Sequence, residues 1–242
     1  MRAFGLTVEV TASDAPDGGW DHTTAERVVD LRNPDGTPFL HVDRGPLGYR
    51  LDSPAHGLHL VDAGGGVIRT GRDEPDGERL LVAQSLPTAA ALQGLDPMHA
   101  SAVLTPRGVV AISGPSTSGK STLAGRLAQA GVGEPFADDV IALDDVAHAR
   151  PGPGHDRPAA PVVAFVLLDR TDEPGDLRVT AADPNDLFGA AFVPHVTSPE
   201  RLRTHLDACA ALLAAGVVHR LVVPPGTTVE ATAERLAVLT GG

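Results

Sequence analysis

Lysine is almost missing from this chain of 242 residues, as are cysteine and aromatic side chains. The chain has one lysine beside 18 arginines, one cysteine, and 3% aromatic residues. A single cysteine excludes an internal disulfide, and the scarcity of aromatic residues predicts a core of alanine, valine and leucine. Excess positive charge is also missing, because the net charge is −12. With no cluster of arginine, this charge argues against a nucleic acid or an anionic membrane as the main partner.

Long apolar segments are absent as well. Uncharged apolar runs such as residues 161–168 are far too short to span a bilayer, and the first residues contain no signal-type apolar stretch. Cys209 lies among alanine and leucine residues, which favours a helix core position over a reactive thiol. We therefore expect a folded, cytoplasmic protein without a membrane segment.

The first 76 residues consist of short stretches that alternate apolar and polar side chains, separated by turns rich in proline, glycine and aspartate. Such stretches predict a small antiparallel sheet. The predicted strands are 3–10, 27–31, 38–42, 48–52, 57–61 and 67–70. We therefore divide the chain into a β-rich N-terminal region, residues 1–76, that carries no catalytic residue, and a second domain, residues 77–242.

From residue 77 onward the apolar spacing changes, and helices alternate with strands. The first helix is predicted to bend at Pro87, because proline interrupts helical hydrogen bonding. The predicted strands are 95–105, 109–112, 136–143, 161–168, 177–181 and 217–223. The later predicted helices follow residue 121 and cover 184–192, 198–213 and 227–239. The helix from Ser198 is predicted to bury one apolar face, formed by Leu202, Leu206, Cys209 and Leu213. Residues 149–160, rich in proline and glycine, are a candidate lid.

The only lysine lies in a glycine-rich loop between a predicted strand and a predicted helix. The loop and the residue after it are Gly114, Pro115, Ser116, Thr117, Ser118, Gly119, Lys120, Ser121 and Thr122. In a G-x-x-x-x-G-K-[ST] pattern the backbone N–H groups bind phosphate, the lysine contacts the β- and γ-phosphates, and the last hydroxyl is a Mg²⁺ ligand. We therefore predict that ATP and Mg²⁺ bind here. The alternative is a chance glycine-rich turn with a surface lysine.

Three further side chains are candidate catalytic residues. His99 starts the strand before the loop strand, and the adjacent acids Asp138 and Asp139 begin the strand after the loop helix. Phosphoryl transfer requires a phosphate site, Mg²⁺, and a carboxylate that holds the metal or accepts a proton. We assign Ser121 and Asp138 to the metal, although the residues alone leave open which acid is the base. The alternatives are a solvated strand end and a structural histidine. Further side chains that could contact a phosphoryl group or an acceptor carboxylate are Arg150, His155, Arg157, Arg201 and Arg203.

Three runs carry a resemblance to a known family. They are Met98-His99-Ala100-Ser101, residues 108–123, and Phe136-Ala137-Asp138-Asp139. Their residues and spacing resemble the C-terminal catalytic domain of HPr kinase/phosphorylase, and most of all its shorter relatives, which include kinases that modify lasso peptides. The resemblance covers residues 78–145 and, loosely, the C-terminal part. It implies an α/β P-loop nucleotide-binding domain of the HPr kinase/phosphoenolpyruvate carboxykinase type. It also implies that His99 lies near the transferred phosphate and that Asp138 and Asp139 act as base and metal partner.

The chain departs from this family at several points. Thr117 replaces a glycine, which is tolerable if its φ is negative, and no equivalent of the glycine-rich signature for the reverse dephosphorylation is found. We therefore predict a kinase without phosphorylase activity that phosphorylates a Ser or Thr hydroxyl of a peptide or small protein, such as a lasso-peptide precursor. The alternatives are a kinase for a small-molecule hydroxyl, such as free serine or a natural product, and a non-catalytic nucleotide-binding regulator. Assembly into a homo-oligomer is left open.

Overall fold

The computed structural model describes residues 1–71, 77–155 and 157–239. It is a mixed α/β protein with two large β-sheets, one of six strands and one of eight, and several helices. The predicted boundary at residue 76, and residue 156 of the predicted lid, lie outside the described residues. Within the three described ranges, no helix combines the length and the apolar composition that a membrane span requires.

The N-terminal sheet contains six strands. They are β3 (Glu9–Ser13), β4 (Glu26–Arg32), β5 (Pro38–Gly45), β6 (Gly48–Ser53), β7 (Gly57–Asp62) and β8 (Val67–Gly71), preceded by the short pair β1 (Arg2–Ala3) and β2 (Leu6–Thr7). Neighbouring strands are antiparallel, as predicted, except for the parallel pair β3 and β8. The predicted strand 3–10 is wrong, because Phe4 and Gly5 have φ of 54° and 71° and reverse the chain between β1 and β2.

A helical segment lies between the two sheets. It consists of α1 (Gly77–Leu80), a π-helical turn (Leu81–Ser85) and α2 (Leu86–Leu92). Pro87 has no N–H for a bond to the carbonyl four residues earlier, and the residue before it, Leu86, donates to the carbonyl five residues earlier. One buried core joins this segment to both sheets, with members that include Val42, Leu51, Ile68, Ala89, Val140 and Ala142.

The second sheet holds the elements around the predicted loop. Its strands are β9 (Asp96–Thr105), β10 (Gly108–Ser113), β11 (Glu134–Ala137), β12 (Val140–Leu143), β13 (His148–Arg150), β14 (Ala160–Arg170), β15 (Arg178–Ala181) and β16 (Val218–Val223). Strand β9 is antiparallel to β10, β11 and β12, whereas β10, β14 and β16 run parallel. The predicted start of the lid at residue 149 is wrong, because Ala149 and Arg150 belong to β13, which is hydrogen-bonded into the sheet between β12 and β14.

Four helices follow the glycine-rich loop in the described ranges. They are α3 (Lys120–Gln129), α4 (Pro184–Phe188), α5 (Pro199–Ala214) and α6 (Val229–Leu239). Helix α3 packs with α6, β10 and β14 in one apolar core. Helix α4 starts at proline after an Asp183 cap, as predicted, but ends four residues earlier than expected.

The predicted buried face of α5 is wrong. Leu202, Leu206 and Leu213 are exposed, although Cys209 is buried as expected. The buried face is formed instead by Arg201, His205, Ala208, Cys209 and Leu212. Its polar members face the fully buried Asp96 at the start of β9, with Asp96 oxygens 2.6 Å from Arg201 Nη1 and 2.9 Å from His205 Nδ1. The buried carboxylate therefore determines which side of α5 faces inward, because a charge in the core requires partners.

Candidate functional site

The glycine-rich loop connects β10 to α3, in the strand, loop and helix order that the sequence predicts. Gly114 has a φ of 155°, and a Cβ there would lie 2.8 Å from Leu168 O and 3.2 Å from Ser118 Oγ. Gly119 caps α3 with a φ of 96°, and its Cβ would lie 3.1 Å from Arg170 Nη2. Both positions therefore favour glycine, because a residue with a Cβ would be strained at these φ values and, at Gly114, would also meet the Leu168 carbonyl.

Thr117 does not meet the condition under which its presence is tolerable. Its φ is 64°, in the left-handed region, where a residue with a Cβ costs about 1–2 kcal/mol. Its hydroxyl donates to the carbonyl of Ser116 at 2.6 Å. The loop thus keeps the backbone shape of a glycine at a β-branched residue, and the rest of the loop must stabilise it.

Two buried polar groups of the loop fit an anion. The Nζ of Lys120 donates to the carbonyls of Gly114 and Pro115, both at 3.1 Å, and burial lowers the pKa of this lysine while Asp139 and Asp138 oppose that shift. Ser118 Oγ is buried and has no hydrogen-bond partner among the described residues. An unpartnered buried hydroxyl beside a helix N-terminus fits a bound anion, because both supply donors to it.

The paired acids lie where the predicted strand 136–143 is interrupted, between β11 and β12. Asp139 has a φ of 69°, and the Val140 N–H donates back to Asp138 O at 2.8 Å. Strand β9 supplies one side-chain partner to each carboxylate. Ser101 Oγ donates to Asp138 Oδ1 at 2.9 Å, and His99 Nε2 lies 3.4 Å from Asp139 Oδ1.

Each acid therefore has a different neighbourhood. Asp138 is linked through Ser101 to the loop helix, because Ser101 Oγ is 3.3 Å from Ser121 Oγ. Asp139 is paired with His99, whose hydrogen bond lowers the pKa of the Asp139 carboxyl, with smaller help from the Lys120 charge and against burial. No group of three or more His, Cys, Asp or Glu side chains in the described ranges could hold a metal. Mg²⁺ commonly takes only one or two protein oxygens beside phosphate and water, so Ser121 and Asp138 fit that ion when a nucleotide supplies phosphates.

Arg170 contacts the loop of the candidate site, and the sequence analysis did not predict it. Its Nε donates to the carbonyl of Ser118 at 2.5 Å, and its guanidinium lies against Gly119. It is the last residue of β14, which runs parallel to β10 and ends at the same edge of the sheet. Ligands gather at the carboxyl ends of parallel strands, and the predicted strand 161–168 ends two residues before Arg170.

A cavity of about 340 Å³ adjoins the start of the loop. His99 and Gly114 line one part of it, and Asp169, Asp186 and Arg220 line another. Arg220 Nη1 lies 3.2 Å from Asp169, and the other terminal nitrogen contacts Asp186. The cavity therefore connects the His99 side of the loop to a charged wall that the sequence did not predict.

The other predicted residues divide between the site and positions away from it. Pro115 belongs to the site, because its carbonyl accepts from Lys120 and it lines the cavity. Ser116 and Thr122 are exposed residues of the loop and its helix. Arg201 is wrong as a phosphoryl contact, because it is buried against the Asp96 carboxylate. Arg157 pairs with Glu134 at 2.5 Å.

No protein-family model matches the chain, and no curated protein is similar enough to count as a relative.

Proposed function

We propose that this protein is an ATP- and Mg²⁺-dependent kinase that transfers the γ-phosphate to a hydroxyl group. The proposal includes a P-loop nucleotide-binding domain of the HPr kinase/phosphoenolpyruvate carboxykinase type within residues 77–242. The observation that carries it is the meeting of the only lysine, a loop that favours glycine at two positions, and two carboxylates with separate partners on β9.

The loop would bind the nucleotide phosphates. Lys120 now donates to two loop carbonyls, and its flexible side chain can exchange them for phosphate oxygens. Ser118 Oγ and the first N–H groups of α3 supply further donors, and Arg170 holds the carbonyl side of the loop. Ser121 and Asp138 would hold Mg²⁺, which neutralises charge on the transferred phosphoryl group.

The contacts favour Asp139 as the base. Asp139 is paired with His99 at the edge of the cavity, whereas Asp138 is tied to the metal side through Ser101. The acceptor hydroxyl gives its proton to the Asp139 carboxylate as its oxygen bonds to the γ-phosphorus. The bond from that phosphorus to the β-phosphate oxygen breaks, and ADP leaves. The hydrogen bond from His99 orients the carboxylate toward the acceptor.

The acceptor we propose is a Ser or Thr hydroxyl of a peptide or small protein. A small-molecule acceptor would be favoured if residues 149–160 enclosed the cavity. The described residues of that segment do not line it. A peptide can place one side chain in a cavity of this size and keep the rest of its chain outside.

The test is binding and transfer with purified protein. Calorimetric titration should show that ATP and ADP bind and that Mg²⁺ strengthens their binding. Lys120→Ala should abolish nucleotide binding, whereas Arg126→Ala, which removes a cation from the exposed side of the same helix, should not. Asp139→Asn should leave nucleotide affinity within about tenfold and remove transfer from labelled ATP to Ser/Thr peptides. Failure of the native protein to bind nucleotide would refute the proposal. Binding without transfer to any peptide or small hydroxyl compound would favour a nucleotide-binding regulator.

A further inference from the structure

Ser101 is a buried polar residue in a strand of the candidate site. It lies in β9, its exposed fraction is 0%, and its neighbours Ala100 and Ala102 are also buried. A serine at such a position needs hydrogen-bond partners. Both of its partners are candidate site residues, Asp138 at 2.9 Å and Ser121 at 3.3 Å.

The direction of these two hydrogen bonds follows from the number of hydrogens. A carboxylate oxygen only accepts, so Ser101 gives its single hydroxyl hydrogen to Asp138. Ser101 then has only lone pairs left, so Ser121 must be the donor in the contact between the two hydroxyls. The Ser121 hydrogen therefore points at β9, and both lone pairs of its oxygen point elsewhere. An oxygen held in this way is prepared to be a cation ligand.

We propose that Ser101 is a positioning residue that aligns Ser121 and Asp138 for a divalent cation. The inference rests on the proposed function, because it concerns the cation that accompanies the nucleotide. One hydroxyl connects the first turn of α3 to the turn between β11 and β12. Such groups behind metal ligands fix their orientation and typically change metal affinity by about 10–100-fold.

The effect of removing this hydroxyl should fall on the cation and not on the fold. Asp138 and Ser121 are both exposed, so water can take the place of Ser101 as their partner. The smaller alanine fits the space that serine leaves, between two alanines of the same strand. Ser101→Ala should therefore fold, with both ligand residues present but no longer aligned.

The experiment measures cation affinity separately from nucleotide affinity. Mn²⁺, a paramagnetic substitute for Mg²⁺, is titrated into the protein–ADP complex and followed by electron paramagnetic resonance, and ADP binding is also measured without metal. We expect Ser101→Ala to weaken Mn²⁺ binding about tenfold or more and to leave metal-free ADP binding within about twofold. Ser101→Thr, which keeps the hydroxyl, should restore most of the Mn²⁺ affinity. The matched control is Ser53→Ala, which replaces a buried strand serine of the other sheet and should change neither the Mn²⁺ affinity nor the ADP affinity.

The experiment distinguishes failure of the proposed function from failure of the positioning role of Ser101. If the native protein binds neither ADP nor Mn²⁺ with ADP, the proposed function fails, and the role of Ser101 fails with it. If the native protein binds both, and Ser101→Ala binds Mn²⁺ within about twofold of native, the positioning role is overturned while the proposed function stands. An equal loss of metal-free ADP binding in Ser101→Ala would also overturn it, because the serine would then support the loop and not the cation.

Discussion

Mild acid should destabilise this protein through two buried histidines that contact the helical segment 77–92. His59 Nδ1 lies 2.8 Å from Ser85 Oγ in the π-helical turn. His195 Nε2 lies 3.0 Å from Thr88 Oγ1 in α2. Burial lowers the pKa of each imidazole to about 4, from an ordinary value of 6.5. Both rings therefore stay neutral in the folded protein under conditions that protonate them in the unfolded chain.

The sign and size of the effect follow from this difference. As pH falls, the histidines of the unfolded chain bind protons before those of the folded protein. The contribution of each neutral histidine to the free energy of unfolding is therefore present above pH 6.5 and is lost as pH falls toward 4. Between about pH 7 and pH 5, each histidine should lower the free energy of unfolding by about 2 kcal/mol. The two together should remove about 4 kcal/mol, a large part of the roughly 5–15 kcal/mol that stabilises a typical domain.

Denaturant unfolding at the two pH values measures this loss. His59→Asn and His195→Gln place an amide near the ring nitrogen that makes the contact, and neither side chain titrates. Each variant should lose about 2 kcal/mol less than the native protein on acidification. His22→Gln, at an exposed position, is the matched control and should behave like the native protein. A native loss that is unchanged in both buried variants would refute the assignment, whatever their stability at pH 7.

Three further predictions concern side chains away from the candidate site. Burial, with help from a nearby carboxylate, raises the pKa of Cys209 to about 12, so a thiol reagent at about pH 8 should modify the protein only after unfolding, and rapid native labelling would contradict this. Asp96→Asn should lower the free energy of unfolding by about 3–5 kcal/mol, because it removes one partner of a buried ion pair. The control Arg203→Ala, on the exposed side of α5, should change it by less than about 0.5 kcal/mol. Similar losses in the two variants would be inconsistent with a buried ion pair at Asp96. Gly65→Ala places a Cβ 2.4 Å from a carbonyl oxygen of α2, whereas Gly94→Ala has a similar φ but open space. In denaturant unfolding, Gly65→Ala should therefore lower the free energy of unfolding by about 2 kcal/mol more than Gly94→Ala. Equal losses would show that only φ matters.

The elements that the sequence predicts well are those with local signals. Five of the six N-terminal strands are confirmed, because each alternates in period two between clear turns. The strand before the loop and the helix after it are confirmed for a similar reason, since the buried run and the helical spacing both lie within a few residues of Gly114 and Gly119. Such signals do not depend on distant parts of the chain.

The features that could not be predicted depend on distant contacts. Two sides of α5 have helical spacing, and the sequence offers the leucine side as the more apolar. The choice is made by Asp96, which lies more than a hundred residues earlier and buries Arg201 and His205 instead. Arg170 was missed because its contact with Ser118 spans 52 residues. The left-handed φ of Thr117 is likewise imposed by the closed loop and not by its own preference.

Strand β9 explains why two adjacent acids can serve one site. His99 and Ser101 are two residues apart and so share a face of the strand, whereas Asp138 and Asp139 would point to opposite faces of a regular strand. The left-handed φ of Asp139 breaks that alternation, and both carboxylates reach the same face of β9. Aspartate and asparagine adopt this conformation more readily than most residues. Asp139→Asn therefore removes the charge while keeping the turn, so that a loss of the proposed transfer in this variant would report on the proposed base itself.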